Sequence, residues 1–141
     1  MTPNTLVLVV EDEPDQRQLI VNILEASDYS VLHADCVEQA ILLLKQHSID
    51  VVFSDWKLGG LSGIDLLNYV RRNQPITGFV IATAYGTISH AVEALQKGAD
   101  DYLPKPFQRQ ELVLTIEKAL KAKVLRNSNQ QLSSQLTEQR Q

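Results

Sequence analysis

Five short apolar runs, each followed by apolar residues at helical spacing, constrain the fold of this chain more than any other feature. The runs that predict strands are residues 6–10, 30–34, 49–54, 79–82 and 101–103. Strands that alternate with helices predict a parallel sheet with helices on both faces, and continuous apolar runs are typical of strands covered in this way. Right-handed crossovers leave few possible orders for such strands.

The predicted fold class is α/β, a flavodoxin-like doubly wound sheet of five parallel strands with five helices, the last one extended. The strand order 2-1-3-4-5 brings strands one and three together at the edge where such sheets bind ligands. Helical spacing predicts that the first helix carries four apolar side chains on one side, those of Leu19, Ile20, Ile23 and Leu24. It predicts that four side chains of the fourth helix face inward, those of Ile88, Ala91, Val92 and Leu95.

Composition limits the classes of function that are open to the chain. Its formal net charge of −4 over 141 residues leaves no basic surface, so we expect no direct contact with nucleic acid. No apolar run is long enough to cross a bilayer, and the N-terminus lacks the pattern of a secretory signal. Cys36 has no second cysteine to pair with, which fits a reducing, cytoplasmic setting.

Near residue 124 the composition changes to Asn, Gln and Ser with few leucines. We therefore expect one domain over residues 1–123 and a linker or dimerisation helix over residues 124–141. Leu125, Leu132 and Leu136 have coiled-coil-like spacing with Asn129 between them, which allows a homodimer through the last helix. Two heptads are too few to decide between helix pairing and a solvated helix end, and both interpretations stay open.

Charged side chains follow three of the predicted strands, at the edge where parallel strands end together. Glu11 and Asp12 follow strand one, Asp55 follows the apolar part of strand three, and Lys105 follows strand five. Two carboxylates about 4 Å apart near a protein surface repel by several kcal/mol, so a cation is expected beside them. Oxygen ligands with open positions suit Mg²⁺, which binds through one or two carboxylates and a phosphate.

Asp55 is then a candidate nucleophile for a phosphoryl group, a transfer that needs mainly positioning and neutralisation of charge. Lys105 can supply a positive charge to the phosphate, and Thr83, after strand four, can donate a hydroxyl hydrogen bond. Each residue alone also suits an ordinary structural role, such as capping a helix or covering the surface. Their convergence on one edge favours a phosphoacceptor site.

The set of motifs over residues 5–123 resembles the receiver domain of two-component response regulators. The matching segments are residues 9–14, Ser54-Asp55 with Leu58 and Ser62-Gly63, residues 82–84 and residues 98–107. Each fragment is weak alone, whereas all of them in this order and at this spacing are specific.

The resemblance implies that a sensor histidine kinase or a phosphotransfer protein donates a phosphoryl group to Asp55. It implies that Mg²⁺ is held by Asp12, Asp55 and the backbone carbonyl of Lys57, with help from Glu11 through water. The chain departs from the family at Glu11, where Asp is more common. Trp56 is also bulky beside the phosphoacceptor, and Gly59 stands where Pro is common.

For the switch, the resemblance implies that Thr83 moves toward the phosphate and that Tyr102 turns into the vacated space. It also implies a cis peptide bond between Lys105 and Pro106, since X-Pro bonds accept this geometry. We further predict that Tyr85, two residues past Thr83, partly shields the acyl phosphate from water.

Residues 83–88, 91–94 and 101–107 are similar to receivers of the nitrogen-regulation type. In those activators a receiver precedes an AAA+ ATPase that acts on an alternative sigma factor. The resemblance therefore implies an output domain on the same chain and control of transcription. On this interpretation the chain is a signalling switch and not an enzyme.

Two other classes share parts of this pattern. A haloacid dehalogenase-type phosphatase also uses a strand-end Asp, Mg²⁺, a Thr and a Lys, but it needs a second Asp where this chain has Lys57. A flavodoxin has a phosphate loop rich in Ser, Thr and Gly after strand one. Here Glu11-Asp12-Glu13 stands at that place and would repel a phosphate.

Overall fold

In the computed structural model of the chain, residues 5–84 and 88–139 are described, with the backbone alone for Ile88 and residues 129–139. Within these residues the strands are β1 (Leu6–Val10), β2 (Ser30–Ala34), β3 (Val51–Asp55), β4 (Gly78–Thr83) and β5 (Asp101–Pro104). The helices are α1 (Pro14–Ala26), α2 (Val37–Gln46), α3 (Gly63–Asn73), α4 (Ile88–Gln96) and α5 (Arg109–Gln139). These bounds confirm the alternation that the sequence predicts.

The strands form one parallel sheet in the order β2-β1-β3-β4-β5, as predicted. Val10 pairs with Ser54, Asp55 pairs with Ala82, and Thr83 pairs with Pro104. Because the register keeps the ends of β1, β3, β4 and β5 level, the residues that follow these strands meet at one edge of the sheet.

Alternate side chains of the sheet build a hydrophobic core on each face. Leu8 and Val10 of β1 pack in the core under α2, α3 and α4, whereas Val7 and Val9 pack in the core under α1 and α5. Full burial of such a side chain contributes about 1.5–3 kcal/mol of hydrophobic free energy. With both faces covered, the strand ends have a rigid base.

Two helix faces differ in part from the prediction. In α1, Ile20, Ile23 and Leu24 are buried, as predicted, whereas Leu19 is 57% exposed.

In α4, Val92 and Leu95 are each 43% exposed, and the side chain of Ile88 lies outside the described residues. Among the side chains described for α4, the buried ones are those of Ala91 and Ala94, which lie three residues apart and define a narrower, shifted contact face. Helical spacing thus indicated both helices correctly, but in α4 it did not fix which side meets the sheet.

The last helix, α5, runs well past the boundary expected near residue 124. Leu112, Ile116 and Ala119 are buried against the sheet, and the helix then continues past the beginning of β4, where Ala119 lies against Gly78. Neither α5 nor another helix of the described part of the chain is both long and apolar enough to cross a membrane.

Candidate functional site

An open cavity of about 630 Å³ lies at the edge of the sheet where β1, β3 and β5 end. Its walls come from the segments that follow these strands and from the first turns of α1. Five residues that the sequence predicted for the site line this cavity, namely Glu11, Asp12, Asp55, Lys57 and Lys105. The strand order therefore brings together side chains that are up to 94 residues apart in the sequence.

Three carboxylates meet in this cavity. Glu11, Asp12 and Asp55 each place an oxygen within 4.8 Å of the others. Glu11 and Asp55 are buried, and Asp12 is exposed at the rim. Loss of water around its carboxyl raises the pKa of Asp12 above its usual value, and the hydrogen bond and charge of Glu11 raise it further. The site therefore concentrates negative charge, as the sequence predicts.

Lys105 supplies the positive charge opposite these carboxylates. Its Nζ lies 2.6 Å from Glu11 Oε1 and 3.3 Å from Asp55 Oδ2. The Lys105–Pro106 peptide is cis, as predicted, and the backbone N–H of Lys105 donates to the carbonyl of Thr83 at 2.8 Å. Burial lowers the pKa of Lys105, but its hydrogen bond with Glu11 and the charges of Asp55 and Glu11 outweigh this effect, so that its pKa is raised.

Glu11 is the nearer partner of Lys105, which the sequence did not show. Its second oxygen, Oε2, accepts a hydrogen bond from the Glu13 backbone N–H at 3.2 Å. Its carbonyl accepts from Arg17 Nη1 at 2.8 Å. Both carboxylate oxygens of Glu11 are therefore engaged, and the side chain is held as a buried counter-charge to Lys105.

The backbone around Asp55 is held on three sides. Its carbonyl accepts a hydrogen bond from Ser54 Oγ at 2.9 Å. The next residue, Trp56, donates its N–H to Ala82 at 2.6 Å, and its carbonyl accepts from the N–H of Gly63 at 2.9 Å. β3 is thereby tied to β4 and to the start of α3, so Asp55 presents its carboxylate from a rigid position.

Thr83 and Tyr102 lie on neighbouring strands but do not line the cavity. Thr83 is the buried last residue of β4, next to the strand that carries Asp55. Tyr102 is an exposed residue of β5 and pairs with Ile81. Tyr85 lies outside the described residues, so its shielding of the phosphate stays a prediction.

The sequence did not predict the stacked aromatic pair that Trp56 and His90 form beside the site. The rings of Trp56 and His90 have centroids 3.9 Å apart and an interplanar angle of 10°. The contact joins the residue after Asp55 directly to α4. No local pattern relates these two residues, and only the fold brings them together.

The oxygen ligands at this site fit a magnesium ion. Carboxylate oxygens of Glu11, Asp12 and Asp55 lie within 4.8 Å of one another, and described His or Cys side chains are not part of the group. A Cβ built on Gly59 would be 3.7 Å from Asp12 Oδ2, so the loop after Asp55 leaves space beside that carboxylate. Hard oxygen ligands with open positions are the preference of Mg²⁺.

Known proteins match the chain over the residues that build the sheet and its acidic edge. Residues 7–117 match the family model described as the response regulator receiver domain, and the chain belongs to that family. This confirms the predicted resemblance. Receiver domains of this family are signalling switches rather than classical enzymes.

The relatives include regulators of two types. The chain is 35% identical over 134 residues to the nitrogen assimilation regulatory protein NtrX of Azorhizobium caulinodans, covering 94% of this chain and 29% of that protein. It is 33% identical over 117 residues to the phosphate regulon transcriptional regulatory protein PhoB of Pseudomonas aeruginosa, covering 82% of this chain and 51% of that protein. The chain thus spans about half or less of these proteins.

A solved structure supports the fold independently. The crystal structure of the receiver domain of NtrX from Brucella abortus has a TM-score of 0.79 and 33% sequence identity, covering 82% of this chain and 98% of that one. The sheet and helices described here are therefore those of a receiver domain.

Proposed function

We propose that Asp55 accepts a phosphoryl group from a sensor histidine kinase or a phosphotransfer protein, and that the acyl phosphate changes the surface of the domain to control an output. The position of Lys105 is the observation that carries this proposal. Its ammonium lies within hydrogen-bond distance of Asp55 and Glu11, at the wall of an open cavity with Asp12 at the rim. A phosphoryl group on Asp55 would form beside a cation already in place.

In the transfer, one carboxylate oxygen of Asp55 attacks phosphorus, the bond from phosphorus to the donor's histidine nitrogen breaks, and an acyl phosphate forms. Asp55 is oriented by its fixed backbone, which favours in-line attack. Lys105 neutralises charge on the phosphoryl oxygens. Thr83 supplies a hydroxyl donor from the end of the neighbouring strand.

Asp12, Asp55 and the backbone carbonyl of Lys57 would hold Mg²⁺ in this site. Glu11 would contribute through water, as the family resemblance implies. When bound, Mg²⁺ would supply positive charge against the negative charge that develops on the phosphoryl group.

The proposed switch uses Thr83 and Tyr102. A phosphoryl group on Asp55 would draw the Thr83 hydroxyl toward it, and Tyr102, on the adjacent strand, would turn from its exposed position into the vacated space. Couplings of this kind are typically worth about 1–3 kcal/mol. The affected surface would comprise α4, β5 and the first part of α5.

The remaining parts of the proposal concern the longer protein. We infer that residues 1–123 form the receiver and that residues 124–141 lead to an output domain of the same chain that controls transcription. A homodimer through the last helix is proposed on the spacing of its leucines. We further propose that the receiver domain works in the cytoplasm as a phosphoacceptor rather than an enzyme, and that this domain itself contacts neither membrane nor nucleic acid.

Incubation with Mg²⁺ and acetyl phosphate, followed by intact mass measurement, tests the phosphoacceptor role. We expect the wild-type chain to gain one phosphoryl group that hydroxylamine removes, as it does from an acyl phosphate. Asp55→Asn should gain none. Asp35→Asn is the matched control, because Asp35 follows β2 at the same end of the sheet but lies outside the carboxylate cluster. Phosphorylation of Asp55→Asn, or none of the wild type, would refute the proposal.

A further inference from the structure

The end of the sheet opposite the candidate site holds α5 through a close backbone contact. Gly78 begins β4 and lies directly against Ala119 of α5. A Cβ built on Gly78 would lie 2.9 Å from the carbonyl oxygen of Ala119. Glycine therefore lets the helix pack on the strand backbone itself, in a contact with no side chain between them.

One turn further along α5, an ion pair joins the helix to the beginning of β3. Lys123 Nζ donates to Asp50 Oδ1 at 2.5 Å, and the other oxygen of Asp50 accepts from the backbone N–H of Leu6 at 2.9 Å. Asp50 is thus fixed by β1 and in turn fixes Lys123. This contact supports the helix on one side of β4.

Arg126 makes a denser set of contacts on the other side of β4. Its two terminal nitrogens form a bidentate pair with Asp100, with Nη1 2.6 Å from Oδ1 and Nη2 3.1 Å from Oδ2. Nη2 also donates to the carbonyls of Ile76 at 2.9 Å and Thr77 at 3.1 Å. Bidentate pairs between arginine and carboxylate are among the strongest and most directional side-chain contacts.

Asp100 is itself held by more than Arg126. Its Oδ2 accepts from the backbone N–H of Phe79 at 2.9 Å and from Arg71 Nη2 at 3.3 Å. Arg71 Nε in turn donates to the carbonyl of Gly98 at 2.8 Å. The partner of Arg126 is therefore a nearly buried carboxylate tied to β4 and, through Arg71, to α3 and the end of α4, so it cannot follow the helix if the helix moves.

We propose that these three contacts form a mount that fixes the direction in which α5 leaves the domain, and that Arg126 is its principal anchor. Residues 123 and 126 are close neighbours on one helical face, yet they reach β3 and β5, which lie on opposite sides of β4. Supports on both sides resist rolling as well as tilting. The rigid part of the chain then extends through Arg126, past the boundary near residue 124 that composition suggests.

The mount also touches the strand that leads to the candidate site. Asp100 directly precedes β5, and Lys105 directly follows it. If β5 moved, Asp100 would move with it, and the ion pair would pass the movement to Arg126 and the helix beyond it. Only the four residues of β5 separate Asp100 from Lys105. The mount itself does not depend on the phosphorylation proposed above, and the test below uses the chain without phosphate.

Pulsed electron paramagnetic resonance tests the mount in the full 141-residue chain. Spin labels are attached through Glu38→Cys on α2 and Ser128→Cys on α5, both exposed positions, in a Cys36→Ser background. Labelled chain is diluted with unlabelled chain so that the measured distances are intramolecular. We expect a narrow distance distribution with Arg126 intact and a broad one for Arg126→Ala. Leu125→Ala is the matched control, because Leu125 is the preceding residue and is 65% exposed.

Hydrogen exchange of residues 120–128 gives a second measurement on the same variants. Loss of hydrogen bonds to a charged group predicts exchange faster by about tenfold or more in Arg126→Ala and little change in Leu125→Ala. If Arg126→Ala yields no folded domain, the distance measurement on Arg126→Lys tests the proposal instead. Lysine keeps the positive charge but cannot make the bidentate pair with Asp100, so the spin-label distance distribution should be broader than in the wild type. The broadening should be smaller than the one expected for Arg126→Ala. A broad distribution in the wild type, or equal effects of the variant and its control, would overturn the proposal.

Discussion

Gly63 is the glycine at which one added methyl group should lower the stability of the fold most. It is the first residue of α3, and its N–H donates to the carbonyl of Trp56, the residue after Asp55. A Cβ built on Gly63 would lie 2.4 Å from the carbonyl oxygen of Asp55 and 3.1 Å from Ile81 Cδ1. Since ordinary non-bonded contacts are about 3.5 Å, Gly63→Ala requires β3 or α3 to move by about 1 Å.

Two effects of opposite sign compete in this substitution. Alanine in a helix is favoured over glycine by about 0.5–1 kcal/mol. Overpacking costs about 1–3 kcal/mol, and the upper part of that range applies because a backbone carbonyl cannot rotate away. We therefore expect a net loss of about 2 kcal/mol in the free energy of unfolding. For a domain of this size, that loss lowers the melting temperature by about 6–10 °C.

Thermal and urea unfolding measure this loss of stability. Gly60→Ala, in the loop just before α3, is the matched control. A Cβ built on Gly60 meets nothing within 4 Å, so this variant should be neutral or slightly more stable than the wild type. Gly63→Ala should also slow phosphorylation by acetyl phosphate, because the displaced backbone is that of Asp55. A melting temperature of Gly63→Ala equal to that of the wild type would refute the reasoning, as would an equal loss in Gly60→Ala.

Three further predictions concern single side chains of the site. Lys105→Met should lower the melting temperature at pH 7, because a buried carboxylate loses its cation. Because the pKa of Lys105 is raised, its charge stabilises the folded chain fully below the usual lysine pKa of about 10.4. This stabilisation is lost as pH rises through the raised pKa. Alkaline unfolding curves of equal shape for the wild type and Lys105→Met would contradict this prediction. The raised pKa of Asp12 means that its ionisation costs stability, a cost that develops as pH rises through that pKa and is complete above it. Without metal, Asp12→Asn should therefore melt higher than the wild type at pH 7, and it should gain less on addition of Mg²⁺. Trp56 is the single tryptophan, so His90→Ala should change its fluorescence emission by removing the stacked ring, and an unchanged spectrum would argue against the stack in solution.

The architecture and the gathering of the acidic residues could be predicted because each follows from a general rule. Runs such as residues 6–10 are apolar at every position because both faces of the sheet are covered. Parallel strands end at the same edge, so the residues that end or directly follow β1, β3 and β5 had to approach each other once the strand order was known. Glu11, Asp12, Asp55 and Lys105 accordingly line one cavity.

Contacts that depend on side-chain direction could not be predicted. The length of the Glu11 side chain lets it reach Lys105 more closely than Asp55 does, which the position after β1 does not show. Arg126 and Asp100 are 26 residues apart and belong to no repeating pattern. For Leu19, helical spacing indicated the helix correctly, but the residue lies beside the open cavity rather than under the sheet.

The two helices next to β5 are held to the sheet in different ways, and this difference suits a switch. Among the side chains described for α4, the buried ones belong to Ala91 and Ala94, which lose little apolar surface, while Val92 and Leu95 stay half exposed. Elements with little buried apolar area open and shift at low free-energy cost. By contrast, α5 buries Leu112 and Ile116 and is anchored at Arg126. In the proposed switch, a change at Asp55 therefore displaces α4 more easily than α5, and movement of β5 is one route by which the change reaches the helix beyond Arg126.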